Sequence, residues 1–138
     1  MSGEEIVLKT EEEWQKELDP EAYRVMREKG TEAPWSGEYV DLKADGFYHC
    51  RACGAQLFSS DDKFDSGTGW PSFTKPVEGA VGLRPDDSHG MHRTETYCVH
   101  CGGHLGHVFD DGPKEKDGKP VSGQRFCINS CSLDFEEK

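Results

Sequence analysis

The spacing of hydrophobic positions changes character near residue 41. Before it, Trp14 and Leu18 fall four apart, which puts both on one face of a helix. Thr10 followed by Glu13 has the spacing of a capping box, so a first helix is predicted to start there. Asp19-Pro20 reads as a second start, with Asp as the cap and Pro at the first helical position. Tyr23, Val25 and Met26 supply that helix's apolar contacts, and Gly30 is its predicted stop. Thr31 to Val40, with Pro34, Trp35 and Gly37, reads as an extended connector that returns the helices onto a later sheet.

From Asp41 onward short apolar or aromatic runs alternate with Gly, Asp and Pro. The runs are Phe47-Tyr48-His49, Gln56-Leu57-Phe58, Ala80-Val81-Gly82-Leu83, Glu95-Thr96-Tyr97, His107-Val108-Phe109 and Gln124 to Ile128. This spacing predicts an all-β core of short antiparallel strands. Asp110 to Gly123 is polar and carries Gly112, Pro113, Gly118 and Pro120, so it reads as a surface loop between the last two strands. No internal repeat is present. The expectation is one domain over 1–138, with a helical lead and connector over 1–40 and a β core over 41–138.

Composition adds one constraint. Only 33% of the residues are hydrophobic and 16 are glycine, a modest supply for a core. A metal is the obvious supplement. The formal net charge of −11, from 16 basic against 27 acidic side chains, disfavours nucleic acid and anionic lipid, because no basic face is available to neutralise phosphates. No apolar run approaches the roughly 20 residues needed to span a bilayer. The acidic start MSGEEIVLKTEEEW lacks the marks of a secretory or transit peptide, so the chain is expected to be cytoplasmic.

Six cysteines divide into two groups. Cys50-Arg-Ala-Cys53 and Cys98-Val-His-Cys101 are CxxC pairs, each followed at once by glycine. Two intervening residues let a tight turn point both sulfurs at one ion, and the glycine supplies the backbone conformation that brings amides toward the sulfurs. Two such knuckles complete a tetrahedral four-thiolate site for a structural zinc, one per chain. The 44 residues between Cys53 and Cys98 imply that the ion joins two distant hairpins. Two disulfides, or a redox-active CxxC, are competing readings; the lack of secretion signals argues against the first. His49 and His100 adjoin ligands but are expected to be plain neighbours.

Cys127 has no CxxC partner. It lies in Arg125-Phe126-Cys127-Ile128-Asn129-Ser130, where strand alternation puts Arg125, Cys127 and Asn129 on one face. A neighbouring cation favours the nucleophilic thiolate, and the Asn amide offers a donor to orient a bound group. Against this stands a buried, inert cysteine. His104 and His107, three apart directly after the second knuckle, would be held by the rigid metal site and are candidate proton carriers. Their alternatives are core hydrogen-bonding or a second metal site with His89 and His92. In Gly67-Thr68-Gly69-Trp70-Pro71-Ser72-Phe73, Trp70 and Phe73 serve either as core anchors or as an aromatic wall for an apolar group such as a methyl on sulfur.

Taken together, the two CxxC pairs with Gly67–Phe73, His100–Phe109 and Arg125–Ser130 resemble the zinc-containing methionine-R-sulfoxide reductases of the B type, in the same order from about Thr10 to the C-terminus. The resemblance implies a mainly β fold of two small antiparallel sheets with N-terminal helices, stapled by the four-cysteine zinc site. It implies Cys127 as nucleophile, with His104, His107 and Asn129 as active-site polar residues. Trp70 would pack on the substrate's methyl, with Phe109, Arg125 and Asp111 supporting the bound substrate. The implied activity is reduction of methionine-R-sulfoxide, chiefly in proteins, through a Cys127 sulfenic acid that thioredoxin or another thiol reduces.

One departure stands out. Many members of that family carry a resolving cysteine in the Gly-x-Gly-Trp-Pro turn, where this chain has Thr68. Cys131 is then the candidate resolving thiol. On one extended strand its Cα would lie about 13 Å from that of Cys127, whereas a disulfide needs about 4.4–6.8 Å. Cys131 can therefore resolve only where the chain bends or turns helical. The rival functions are a zinc-binding interaction module, a nucleic-acid-binding zinc protein and a general dithiol oxidoreductase acting through CxxC.

Overall fold

Both predicted helices form, and their caps explain where. In the computed structural model, Thr10 accepts from the Glu13 amide at 3.2 Å and Glu13 closes the box on the Thr10 amide at 3.1 Å, starting α1 (Glu11–Glu17). Asp19 Oδ1 accepts from the Ala22 amide at 2.8 Å, starting α2 (Pro20–Glu28). The structure describes residues 10–137 except 29, 36, 38, 41, 88, 89, 91 and 117. Residues 1–9 and His89 thus lie outside it. Trp14, Leu18, Ala22, Val25 and Met26 form the buried stripe of the helix pair. Among the described residues no helix is long and apolar enough to cross a membrane.

All strand pairing is antiparallel. A three-stranded sheet has the order β11-β1-β2, from β1 (Gly46–Cys50), β2 (Gln56–Ser59) and β11 (Leu133–Glu137). A six-stranded sheet has the order β3-β4-β10-β7-β6-β5. Its strands are β3 (Lys63–Phe64), β4 (Ser72–Phe73), β5 (Val81–Asp86), β6 (Arg93–Cys98), β7 (His104–Phe109) and β10 (Arg125–Ile128). Four of the six apolar runs lie wholly on strands of these two sheets, and the other two do so except for their first residues, Ala80 and Gln124.

Two expectations need correction. The segment 110–123 is not wholly loop: Glu115–Lys116 (β8) and Lys119–Pro120 (β9) pair as a small ribbon. Nor is the strand carrying Cys127 the last one, because β11 follows it and pairs with β1. β11 was missed because it reads Leu-Asp-Phe-Glu-Glu; with Leu133 buried and Asp134, Glu136 and Glu137 exposed, it is a half-solvated edge strand with little hydrophobic signal.

An aromatic cluster joins the two sheets. Phe58 stacks on Phe73 at 4.3 Å between centroids, and Tyr48 meets Phe73 edge-on at 5.1 Å and Phe135 at 4.9 Å. The buried cluster continues through Leu57, Leu105, Phe126, Ile128 and Leu133 to the helix stripe. β10 therefore has one side in the core, with Phe126 and Ile128 buried, and the alternate side free for Arg125 and Cys127.

Candidate active site and metal centre

The two knuckles meet at one point. All four Sγ atoms of Cys50, Cys53, Cys98 and Cys101 lie within 4.8 Å of one another. Cys50–Cys101 and Cys53–Cys98 are each 3.6 Å apart. A tetrahedron of thiolates at about 2.3 Å from a metal has edges of about 3.8 Å, so the donor set fits one ion. Each turn closes identically: Gly54 donates to the Cys50 carbonyl at 2.8 Å and Gly102 to that of Cys98 at 2.7 Å. Both glycines have positive φ, 82° and 76°, which only glycine adopts without strain. The site ties β1 to β6, across the long sequence gap read earlier. His49 donates from Nδ1 to the Gly54 carbonyl, 3.1 Å away, and stands outside the sulfur cluster. His92 is exposed and paired with Asp87 at 2.9 Å.

β10 places Cys127 between β4 and β7, opposite Ser72 on one side and His107 on the other. Gly106 makes this approach feasible, since a Cβ there would come within 2.0 Å of the Cys127 carbonyl oxygen. Cys127 opens on a cavity of about 230 Å³ that it shares with Trp70, His107, Phe109, Arg125 and Asn129. Six of the residues singled out in the sequence, from three distant segments, thus converge on one surface. Arg125 lies over the Phe109 ring at 4.4 Å and is gripped by Asp111 through bonds of 2.9 and 3.2 Å. Asp111 itself is exposed and outside the cavity wall; it acts on Arg125.

The electrostatics differ from the simple expectation. Burial pushes the Cys127 thiol above its ordinary range; Arg125 and Thr68 pull it down but do not win. The cation is present, yet desolvation of the thiolate is the larger effect, so the resting group is a thiol. His107 binds Asp86 through Nε2 at 2.7 Å. Burial, aided by nearby Arg93, lowers its pKa despite Asp86, leaving a neutral imidazole whose Nδ1 is an acceptor.

His104 sits behind His107, edge to face at 5.4 Å, and is buried away from the cavity. Its Nδ1 meets Glu95 at 2.8 Å. Asn129 is tied to backbone at both ends of its amide, donating to Leu105 at 3.0 Å and accepting from Glu32 at 3.0 Å. One N–H then remains for the cavity it lines.

Cys131 is placed elsewhere. After Asn129 the chain bends into a 3₁₀ turn, Ser130–Ser132, which is the bend that approach to Cys127 requires. Yet Cys131 opens on a separate groove beside Glu21, Glu32 and Arg51. Burial, and then Glu32, push its thiol up to about 12.

Three acidic residues of the site carry no sequence motif. Glu95 is 0% exposed and bridges His104 to Arg84, which clamps it through two bonds of 2.9 Å. Burial raises its carboxyl, but His104 and Arg84 together hold it well below the usual carboxylate range. Asp86 fixes His107. Glu32, in the connector, accepts from the Trp70 indole through its carbonyl at 3.0 Å and from the Cys131 amide through its carboxylate at 3.0 Å. Glu32 lies in the connector stretch Thr31-Glu32-Ala33-Pro34, whose sequence carries no signal of its burial or its contacts.

A SelR domain model matches residues 18–137. The chain is 53% identical to a peptide methionine sulfoxide reductase MsrB of Leptospira interrogans, over 96% of this chain and 97% of that one. It is 56% identical to the protein of that name from Thiobacillus denitrificans, over 94% and 95%, and 52% identical to that from Chromohalobacter salexigens, over 95% and 96%.

Proposed function

The chain belongs to the SelR-domain family of methionine sulfoxide reductases, and from that premise we propose that it reduces methionine-R-sulfoxide, peptide- or protein-bound, with Cys127 as nucleophile. The observation that carries this reading is the convergence of Cys127, His107, Trp70, Arg125 and Asn129 on one cavity of about 230 Å³, ample for a methionine sulfoxide side chain.

The sulfoxide's methyl packs on Trp70, with Phe109 completing the apolar wall. The Cys127 sulfur attacks the sulfoxide sulfur. The thiol proton passes by way of His107 Nδ1 to the sulfoxide oxygen, because a neutral imidazole held at Nε2 by Asp86 can both take and return a proton. The protonated oxygen then passes to the Cys127 sulfur: a Cys127 S–O bond forms while the methionine S–O bond and the transient sulfur–sulfur bond break, which releases methionine and leaves Cys127 as a sulfenic acid. Methionine sulfur is reduced and Cys127 oxidised by two electrons. Arg125, fixed by Asp111, and Asn129, fixed by Leu105 and Glu32, hold the polar side of the substrate. His104 acts from behind, by fixing His107.

Two external thiols, those of thioredoxin or of a small-molecule reductant, then return Cys127 to thiol, leaving their disulfide and water. The placement of Cys131 in a separate groove favours this direct route. Zinc is the metal we assign to the four cysteines, where it supplies a structural cross-link between β1 and β6. Ligation of a metal by four thiolates needs reduced cysteines, which suits a reducing compartment, the cytoplasm, and a role in protein repair under oxidative stress.

A single turnover with R-sulfoxide peptide, followed by mass-spectrometric trapping, tests the reading. One oxygen on Cys127 and one methionine per chain are expected, with no reaction of the S epimer. A Cys127→Ser protein that keeps full activity overturns it.

A further inference from the structure

Cys127 has a neighbour that the reductase chemistry above does not use. Thr68 Oγ1 lies 4.0 Å from Cys127 Sγ, within reach of a sulfur hydrogen bond. Thr68 is not isolated: its hydroxyl is 2.7 Å from Ser66 Oγ, which is 2.8 Å from Ser72 Oγ, and Ser72 donates to the Trp70 carbonyl at 3.2 Å. Ser72 is fully buried and sits opposite Cys127 in the β4–β10 register. The turn that presents Thr68 is itself held, by Asp65 accepting from the Gly67 amide at 3.1 Å and by Gly69 accepting from the Trp35 amide at 2.7 Å.

We propose that Thr68 is a catalytic residue whose hydroxyl, backed by Ser66 and Ser72, switches between accepting from the Cys127 thiol and donating to its thiolate and sulfenate forms.

The count of protons gives this chain a direction. Each hydroxyl has one proton to donate. With Ser72 donating to the Trp70 carbonyl, Ser66 donates to Ser72 and Thr68 to Ser66, so Thr68 Oγ1 is left as an acceptor for the Cys127 S–H. When the thiol proton leaves toward the sulfoxide, the chain reverses by three hydroxyl rotations: Ser72 donates to Ser66, Ser66 to Thr68, and Thr68 to the sulfur or to the oxygen it has gained. No heavy atom moves and no proton is gained or lost by the chain. The Trp70 carbonyl gives up one bond in exchange for a charge-assisted one at the sulfur, which is the stronger of the two. The sulfenic oxygen is thereby held against the turn until a reductant arrives, in a chain whose turn offers a hydroxyl and no thiol.

The chemistry of this inference rests on the reductase reading; its first test does not. In the full-length, zinc-loaded protein, the rate of Cys127 alkylation by iodoacetamide is followed against pH by peptide mapping. Thr68→Val removes the hydroxyl at nearly constant shape. It is expected to move the Cys127 inflection up by about one unit, roughly a tenfold loss of rate at neutral pH, and Thr68→Ser is expected to restore it. Ser66→Ala is expected to shift the inflection in the same direction, and it replaces Thr68→Val should that variant fail to fold. After one turnover, the Cys127 sulfenic acid of Thr68→Val is expected to advance to sulfinic acid in peroxide faster than that of the parent. Alkylation profiles that superimpose on the parent's, in Thr68→Val or in Ser66→Ala, overturn the proposal. A parent protein that alkylates as expected but leaves methionine sulfoxide untouched overturns the reductase reading and leaves the Thr68–Cys127 coupling standing.

Discussion

Glu95 and His104 share a 2.8 Å hydrogen bond between adjacent strands of the large sheet, with the carboxylate wholly out of solvent. Such a bond is maintained because Arg84 closes the other face of the carboxylate in a two-bond fork. The His104 imidazole thus rests on the ion pair of buried Glu95 with part-exposed Arg84, and this pair makes stability depend on pH.

Glu95→Ala should cost about 3 kcal/mol in urea unfolding, since removing one member leaves its partners buried and unmatched; part-exposure of Arg84 puts the figure at the low end for such pairs. In the parent, the folded carboxyl titrates below the unfolded value of about 4.3, so the unfolded chain binds the proton first. The stability from Glu95 should be full above about pH 5 and fall away as pH drops toward the folded value. An unfolding series from pH 7 to 3 on parent and variant should show the difference between them shrinking.

Glu32→Ala should weaken substrate binding more than chemistry. The side chain fixes the connector to the Cys131 amide, and the same residue's backbone holds Trp70 and Asn129. A KM raised about tenfold with kcat changed less than about threefold is the expected outcome of steady-state kinetics with R-sulfoxide peptide. Equal loss in kcat and kcat/KM would count against it.

Cys131→Ser should turn over normally with dithiothreitol and with thioredoxin, because Cys131 faces its own groove and holds a thiol raised to about 12. Loss confined to the thioredoxin assay would assign Cys131 the resolving role after all.

Cys50→Ser or Cys98→Ser should impair folding and not catalysis alone. Both cysteines are fully buried, and an ion held by them would link a strand of each sheet. A fall in Tm of at least about 10 °C, with loss of bound zinc by metal analysis, is expected. A stable, active, zinc-free variant would contradict this.

Much of the site was readable because its rules are local. A CxxC turn with a following glycine dictates where two sulfurs point, and alternation along β10 puts Arg125 and Cys127 on one side before any partner strand is known. The capping box at Thr10 and the cap at Asp19 are equally local. β8, β9 and β11 escaped notice because their sequences are mostly charged, and pairing across a sheet, not hydrophobic alternation, makes them strands.

The amino-acid sequence alone determined the four cysteines that cluster, the isolated Cys127 among Arg125 and Asn129, and the resemblance that the family match bears out. Only the tertiary structure decided what surrounds these groups. Antiparallel register brings Arg84, Glu95 and His107 side by side from three strands, the connector lays Glu32 beneath Trp70, and the turn at 66–72 sets Thr68 against Cys127. These are pairings between distant segments. The free energy that selects them comes from burial and cross-strand hydrogen bonds that no short window of sequence contains. The same burial outweighs Arg125 and keeps Cys127 a thiol at rest.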